Sequence, residues 1–246
     1  MGNERYKALL TYDGSAFSGM QRQKNSRSVQ GVVEEALKSI GWRGKSILAA
    51  GRTDAGVHAS GQVIAFDMGW KHSQDELLRA LNSTLPEDVA VKKVVIAPAD
   101  FHPRYDAKSR LYQYRLFCQP LRDPLRERYA WRVWPAAKLV HLRAAAKSLS
   151  GEHDFSAFGS APKEGGGTIR RVLSASWRKT AEGDFVFEIS ANAFLYHMVR
   201  HVVGLMVKIG QGLAEPGAVD QALREGSFKV NELAPPQGLC LVAVEY

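Results

Sequence analysis

The chain has 246 residues, of which 45% are hydrophobic and 24% are charged. This balance excludes an intrinsically disordered chain and is sufficient for one large core or two small ones. Lysine and arginine number 33 against 25 aspartate and glutamate, and the net charge of +8 favours a polyanionic partner such as nucleic acid. An ordinary enzyme with a solvated basic surface explains the same charge equally well.

Cysteine usage and hydropathy indicate the compartment. Cys118 and Cys240 are the only cysteines, and because they lie far apart and outside any CxxC spacing they indicate neither a disulfide framework nor a thiolate metal site. The first thirty residues lack the apolar core of a signal peptide, and no apolar run reaches the roughly 18 residues that span a bilayer. We therefore expect a cytoplasmic protein without membrane spans.

Hydrophobic periodicity predicts alternating strands and helices in the first half of the chain. In chain order they are a strand at Arg5–Tyr12, a helix at Ser28–Ile40, strands at Lys45–Ala50 and Gly61–Phe66, a helix from Ser73 to about Leu81, and a strand at Val89–Ile96. Ser73 and Glu76 have the spacing of a capping box, which marks a helix start. This half therefore follows the order β-α-β-β-α-β.

The second half repeats that order. Its elements are a strand at Ala107–Phe117, a helix opened by Pro135 and closed near Gly151, strands at Val172–Lys179 and Phe185–Ala191, an apolar helix at Phe194–Ile209, a short helix near Val219–Arg224 and a strand at Leu239–Val244. Two β-α-β-β-α-β stretches are typical of ferredoxin-like units. We predict an α+β fold of two ferredoxin-like halves with antiparallel sheets, residues 1–105 and 106–246, and an active-site cleft between them. The layout is common, and by itself it does not indicate a function.

Polar side chains interrupt two apolar predicted strands in the segment Ala50–Ala59, AGRTDAGVHA. In one interpretation this is an Asx-type turn, in which Asp54 caps its own backbone and Gly56 takes a positive φ. In the other, Asp54 is a catalytic carboxylate on a loop held by a rigid scaffold, with Arg52 as its electrostatic neighbour. The residues alone leave both interpretations open.

Two further places carry candidate side chains. Arg200 lies within the predicted apolar helix, where it could be the cation that keeps a buried carboxylate charged, or could reach the surface or bind a backbone carbonyl. Strand alternation puts Arg110, Tyr112 and Tyr114 on one face of their strand. A tyrosine there can stack on a base or be an ordinary sheet residue.

Several segments resemble the tRNA pseudouridine synthase A family. Gly51–Ala59 looks like its catalytic motif, and Tyr12–Gln21 resembles its opening motif, with Met20 where a tryptophan is usual. Further matches follow in family order: Ser28–Gln30, Phe101–Tyr105, Arg110–Tyr114, Asn192–Arg200 and Gly238–Val244. The resemblance therefore extends along the whole chain.

The resemblance implies isomerisation of uridine to pseudouridine at positions 38, 39 and 40 in the anticodon stem-loop of tRNA, with no cofactor. Asp54 would be the catalytic residue, as a nucleophile or as a base that removes the C2′ proton. Arg200 would pair with Asp54. Tyr112 would pack on the target uracil and take part in proton removal from C5, and Arg52 would fill the space that the flipped base leaves.

The resemblance also implies contacts with the RNA. The residues concerned are Phe101, His102, Pro103, Arg104, Tyr105, Arg110, Thr168 and Arg170. Basic residues in Leu121–Arg132 and at Arg170 and Arg171 could add phosphate contacts. Bacterial family members act as homodimers, and we expect a homodimer here, so that one tRNA contacts both subunits.

Two segments differ from the family or suggest other chemistry. Ala161–Thr168 is less polar and basic than in the family, and its three glycines indicate a flexible RNA-facing segment. His197 and His201 are four residues apart on a predicted helix, but no HExxH glutamate accompanies them, so we predict no metal site.

Two alternative functions remain at this point. A catalytically idle RNA-binding relative is disfavoured because Asp54, Arg52, Tyr112 and Arg200 are present together. A small-molecule hydrolase with a carboxylate nucleophile would not need the basic surface.

Overall fold

The computed structural model describes residues 2–161, 165–226 and 231–246. These residues form a mixed α+β fold of ten strands and five α-helices. The chain divides into two compact units, which we call unit 1, Met1–Lys108 with Leu241–Tyr246, and unit 2, Ser109–Cys240. The last six residues therefore group with the N-terminal part of the chain.

Unit 1 contains strands and helices in the predicted order. They are β1 Glu4–Tyr12, α1 Val29–Ser39, β2 Leu48–Ala49, β3 His58–Met68, α2 Gln74–Thr84 and β4 Val89–Ile96. β1 pairs antiparallel with both β3 and β4, and β2 pairs antiparallel with β3. The strands are thus hydrogen-bonded in the order β4-β1-β3, with β2 also on β3.

The helix starts of unit 1 follow from their capping residues. Ser28 accepts a hydrogen bond from the Gly31 N–H at the start of α1. Ser73 and Glu76 form the predicted capping box at the start of α2. The predicted strand at Val89–Ile96 is confirmed at both ends.

The predicted strand at Lys45–Ala50 is wrong in extent, because β2 spans only two residues. The Ile47 N–H donates to the buried carboxylate of Glu34 on α1 at 3.1 Å. The backbone before β2 is therefore bonded to a helix side chain and not to a neighbouring strand.

Unit 2 contains the remaining elements. They are β5 Ser109–Cys118, β6 Trp131–Val133, α3 Leu139–Lys147, β7 Gly151–Asp154, β8 Ile169–Ala181, β9 Asp184–Ala191, α4 Met198–Gly210 and α5 Ala218–Glu225, and β10 Leu239–Glu245 begins in this unit. The strand order is β5-β9-β8-β7, with antiparallel pairs throughout, and β6 runs parallel to β5. β6 and β7 are short strands that the hydrophobic pattern does not predict.

The predicted start of the third helix at Pro135 is wrong, since α3 begins at Leu139. The Lys138 N–H donates to the Gly210 carbonyl at 2.8 Å, and the Pro135 carbonyl accepts from Gln211 at 2.8 Å. These bonds hold the segment before α3 in a non-helical conformation.

The predicted start of the apolar helix at Phe194 is also wrong, since α4 begins at Met198. His197 has φ +64°, in the left-handed region, and the Tyr196 N–H donates to the Ser160 carbonyl at 3.0 Å. Both features interrupt a helix that the apolar pattern would continue. Arg200 consequently lies in the first turn of α4.

No helix among the described residues is both long and apolar enough to cross a membrane.

The packing of β10 on β3 allows no side chain at Gly61. A Cβ atom at Gly61 would lie 1.9 Å from the Val242 carbonyl oxygen, so Gly61→Ala must separate the two strands. We expect Gly61→Ala to lower the free energy of unfolding by at least about 2 kcal/mol. Gly217→Ala is the control, since a Cβ there meets nothing within 4 Å. Equal unfolding free energies of the two variants in urea titrations would contradict this packing.

Candidate active site

Asp54 lies on the loop that connects β2 to β3 in unit 1. The Ala50 N–H donates to the Val63 carbonyl at 2.8 Å, and Gln62 Nε2 donates to the Gly51 carbonyl at 3.1 Å. The Val57 N–H donates to the Asp54 carbonyl at 3.2 Å and closes the turn through the backbone. Asp54 is half-buried in this turn, and Arg52 is exposed two residues before it.

The positive φ that the Asx-turn interpretation predicts at Gly56 is confirmed at +77°. The Asp54 carboxylate does not define the turn alone, because a backbone hydrogen bond also spans it. A carboxylate on a turn that its backbone supports is compatible with catalysis.

The opening motif forms the surface that holds this loop, a role that its sequence does not reveal. The Met20 N–H donates to the Thr53 carbonyl at 3.0 Å, and the Gly56 N–H donates to the Phe17 carbonyl at 3.3 Å. These two bonds hold the loop on both sides of Asp54. The bond from Met20 is made by its backbone, so methionine in place of the usual tryptophan preserves it.

The opening motif and the Asp54 loop lie in close contact, and the side chains of the opening motif explain why. Tyr12 Oη and Thr53 Oγ1 are 2.7 Å apart in a buried hydrogen bond. A Cβ at Gly14 would lie 2.0 Å from the Val57 carbonyl oxygen, and one at Gly19 would lie 2.7 Å from the Thr53 carbonyl oxygen. The two glycines were the sequence signal for this contact.

The segment Phe101–Tyr105 contains both anchoring and exposed residues. Phe101 and Pro103 are buried, and the Phe101 ring centroid lies 5.1 Å from that of Tyr246. In contrast, Tyr105 is 72% exposed, and its ring lies 4.2 Å from the ring of His102. Arg104 and Tyr105 are therefore exposed and His102 is half-buried, whereas Phe101 and Pro103 fix the segment in unit 1.

In unit 2, the predicted alternation along β5 is confirmed, since Arg110, Tyr112 and Tyr114 are all buried. The Tyr112 ring contacts Phe194 edge to face, with centroids 5.0 Å apart and planes at 84°. Arg110 Nη1 donates to the Asn192 carbonyl at 2.7 Å. Arg110 is therefore bonded to the backbone that follows β9.

Arg200 is 9% exposed, and its Nε donates to the Ala234 carbonyl at 2.8 Å. The carbonyl-bound arrangement that the sequence left open is thus present. A guanidinium carries four more N–H groups on its Nη atoms, so this bond is compatible with a second, anionic partner.

Thr168 and Arg170 make contacts within unit 2. The Thr168 carbonyl accepts from the Phe155 N–H at 3.1 Å. Arg170 Nη1 donates to the carbonyls of Gly167 and Ile169 at 3.0 and 2.6 Å, and burial lowers the pKa of Arg170. Residues 162–164 of the predicted RNA-facing segment lie outside the described part of the chain.

Arginines of the segment Leu121–Arg132 form ion pairs with neighbouring carboxylates. Arg122 and Arg132 lie 3.0 and 3.3 Å from Glu127, and the Arg122 hydrogen bond holds the pKa of Glu127 below its usual range. Arg126 lies 2.5 Å from Asp184. Arg122 and Arg132 share one carboxylate, so these pairs compensate only part of the positive charge of the segment, and the phosphate contacts stay a prediction.

The two histidines of the possible metal pair have other contacts. His197 stacks on Tyr196 with ring centroids 3.7 Å apart, and His201 Nδ1 is 3.0 Å from the Glu232 carbonyl oxygen. Within residues 2–161, 165–226 and 231–246, no group of three or more His, Cys, Asp or Glu side chains could hold a metal ion.

The structure thus assembles two sets of predicted residues. Asp54 and Arg52 share a loop in unit 1. The same unit contains the half-buried His102 and the exposed Arg104 and Tyr105. Tyr112, Arg110 and Arg200 belong to unit 2, as do Thr168 and Arg170. Their roles in one site remain predictions.

Comparison with known proteins defines the class of enzyme as a pseudouridine synthase. A family model described as tRNA pseudouridine synthase matches residues 8–106 and 145–246, and the chain belongs to this family.

The relatives of this chain span its whole length. The tRNA pseudouridine synthase A of Pseudothermotoga lettingae is 36% identical over 99% of this chain and 100% of its own length. That of Geotalea uraniireducens is 38% identical over 98% of both chains. Among solved structures, a chain of the archaeal box H/ACA sRNP Nop10-Cbf5 complex is 13% identical, with a TM-score of 0.34 over 74% of this chain and 39% of that chain.

Gly19 allows a test of the surface that holds the Asp54 loop. Gly19 has φ +99°, and Gly212 has φ +73° with nothing within 4 Å of a Cβ. Alanine costs about 1–2 kcal/mol of unfolding free energy at either glycine, but only Gly19→Ala displaces Thr53 and Asp54. We expect Gly19→Ala to slow pseudouridine formation in tRNA by at least roughly tenfold relative to Gly212→Ala. Equal rates would show that this contact does not position the loop.

Proposed function

We propose that this enzyme converts uridine to pseudouridine at positions 38, 39 and 40 in the anticodon stem-loop of tRNA, with Asp54 as the catalytic carboxylate. Its family makes it an isomerase of uridine in tRNA. The observation that carries the assignment to Asp54 is the two-sided support of its loop by the backbone of Phe17 and Met20. A catalytic group requires such a fixed position.

We also propose that both halves are ferredoxin-like and that both contribute site residues. Unit 1 supports the first part, because its order β4-β1-β3 with β2 on β3 is that of a split βαβ unit. Asp54 belongs to unit 1, and Tyr112 and Arg200 belong to unit 2.

The chemistry requires a carboxylate and no redox step. The N1–C1′ bond breaks, the C5–C1′ bond forms, and the hydrogen lost from C5 is balanced by one gained at N1. The Asp54 carboxylate acts either as a nucleophile at C1′ or as the base that removes the C2′ proton. In both routes it must be ionised when uridine is bound.

Arg200 is the proposed cationic partner of Asp54. It is a buried arginine in the first turn of α4, where the helix dipole adds positive potential. A guanidinium in this position is stabilised by an anion. An ion pair with Asp54 would keep the carboxylate charged after water has left the site.

Tyr112 and Arg52 are proposed to bind the flipped nucleotide and the gap that it leaves. Phe194 packs against Tyr112 edge to face and limits rotation of its ring. An oriented ring of this kind can stack on a uracil. Arg52 is exposed on the same loop as Asp54, so it can occupy the space left in the RNA stem.

The wider RNA surface is proposed to include His102, Arg104 and Tyr105, which are accessible, with Phe101 and Pro103 as supports. Arg110, Thr168 and Arg170 complete the proposed set, although Arg110 and Arg170 already bond to backbone carbonyls. We further propose a cytoplasmic homodimer in which one tRNA contacts both subunits.

Asp54→Asn tests the catalytic carboxylate. The amide has the same shape but can neither attack C1′ nor remove a proton, so we expect turnover to fall more than roughly a thousandfold. The measurement is tritium release from C5-labelled uridine in unmodified tRNA, with Asp75→Asn on an exposed position of α2 as the control. Tight, salt-sensitive binding without release by the wild type would instead indicate an RNA-binding relative.

Arg200→Lys tests the proposed ion pair. Lysine keeps the charge but lacks the forked donors, so we expect folded protein with roughly 100-fold lower turnover. Arg143→Lys is a matched control, since Arg143 Nε also donates to a backbone carbonyl, that of Trp177, at 3.0 Å. Full tritium release by Arg200→Lys would remove Arg200 from the mechanism.

A further inference from the structure

The segment Glu232–Gly238 passes over α4 and β5 of unit 2, and we call it the strap. Its Ala234 makes two hydrogen bonds with one residue: the Ala234 N–H donates to the Arg200 carbonyl at 3.1 Å, and the Ala234 carbonyl accepts from Arg200 Nε at 2.8 Å. The strap therefore contacts both the backbone and the guanidinium of Arg200.

Tyr114 on β5 holds the next residue of the strap. Its hydroxyl donates to the Pro235 carbonyl at 2.7 Å. Burial raises the pKa of Tyr114 well above its usual range, although the charge of Arg200 opposes this shift. Tyr114 thus remains a neutral hydrogen-bond donor at physiological pH, and it is unsuited to act as a base.

Two glycines allow the close contact of the strap with α4 and with Tyr114 on β5. A Cβ at Gly204 on α4 would lie 2.7 Å from the Glu232 carbonyl oxygen, and one at Gly238 would lie 2.5 Å from Cζ of Tyr114. His201 Nδ1 also lies 3.0 Å from the Glu232 carbonyl oxygen. The strap therefore packs against α4 at one end and against β5 at the other, and Ala234 lies between these two contacts.

We propose that the strap and Tyr114 are a positioning device that orients the Arg200 guanidinium for the catalytic carboxylate. Arginine has a long side chain with several rotatable bonds, and a free one would lose much rotamer entropy each time it bound an anion. The bond from Nε to Ala234 fixes the plane of the guanidinium before substrate arrives. This inference rests on the proposed pairing of Arg200 with Asp54.

Tyr114→Phe tests the device, because it removes the bond to Pro235 and keeps the ring. We expect single-turnover pseudouridine formation to slow roughly 10- to 100-fold with an unchanged Kd for tRNA. Tyr6→Phe is the matched control, since the buried Tyr6 donates to Glu4 at 2.9 Å in unit 1. A purely structural role would change melting temperature and active fraction in both variants and leave the rate per active site unaltered.

A double-mutant cycle with Arg200→Lys shows whether Tyr114 acts through Arg200 or independently of it. If Tyr114 acts through Arg200, adding Tyr114→Phe to Arg200→Lys slows the reaction little further. A multiplicative loss, or a wild-type rate for Tyr114→Phe alone, would overturn the proposal while Arg200→Lys remains impaired. Inactive wild-type protein would instead contradict the proposed function itself.

A measurement on the wild type covers the case in which Tyr114→Phe does not fold. The Arg200 Nε–H should give a slowly exchanging signal in 15N spectra of arginine side chains, assigned through its loss in Arg200→Lys. Exchange as fast as that of a solvated arginine would overturn the proposal.

Discussion

The hydrogen bond from the Met20 N–H to the Thr53 carbonyl connects the proposed catalytic loop to the rest of unit 1. Thr53 precedes Asp54, so this bond fixes the backbone directly before the carboxylate. The next residues extend the connection, because the Val29 and Gln30 N–H groups at the start of α1 donate to the carbonyls of Gly19 and Met20. Those N–H groups have no partner within the helix, so one short loop serves both the helix start and Asp54.

In unit 2, a backbone contact from a distant segment likewise holds a proposed site residue, here the charged side chain of Arg200. Burial of Arg200 removes most of its hydration, and the Ala234 carbonyl replaces part of it. α4 starts late, and the residues before it make other contacts: Phe194 packs on Tyr112, and the Tyr196 N–H donates to Ser160. The support of Tyr112 and the buried Arg200 thus come from one interrupted segment.

Local signals predicted much of the fold. Ser28, Ser73 and Glu76 act through neighbouring backbone N–H groups, and such short-range bonds are visible in sequence. Predictions failed where a distant residue supplied the partner. Glu34 accepts the hydrogen bond of an N–H group that would have extended β2. The carbonyls of Gly210 and Ser160 accept from N–H groups that precede α3 and α4.

The sequence by itself determined the family: the motif around Asp54, the tyrosines of β5 and the arginine of α4 are sufficient to indicate it, and with it a candidate carboxylate. The shared face of Arg110, Tyr112 and Tyr114 could also be anticipated, since strand alternation is a local property. Only the tertiary structure decided how these groups are held. Phe17 and Met20 at the Asp54 loop and Ala234 at Arg200 act through backbone atoms, and backbone donors and acceptors are the same in every residue type except proline. Such contacts leave almost no trace in sequence beyond the glycines that make room for them.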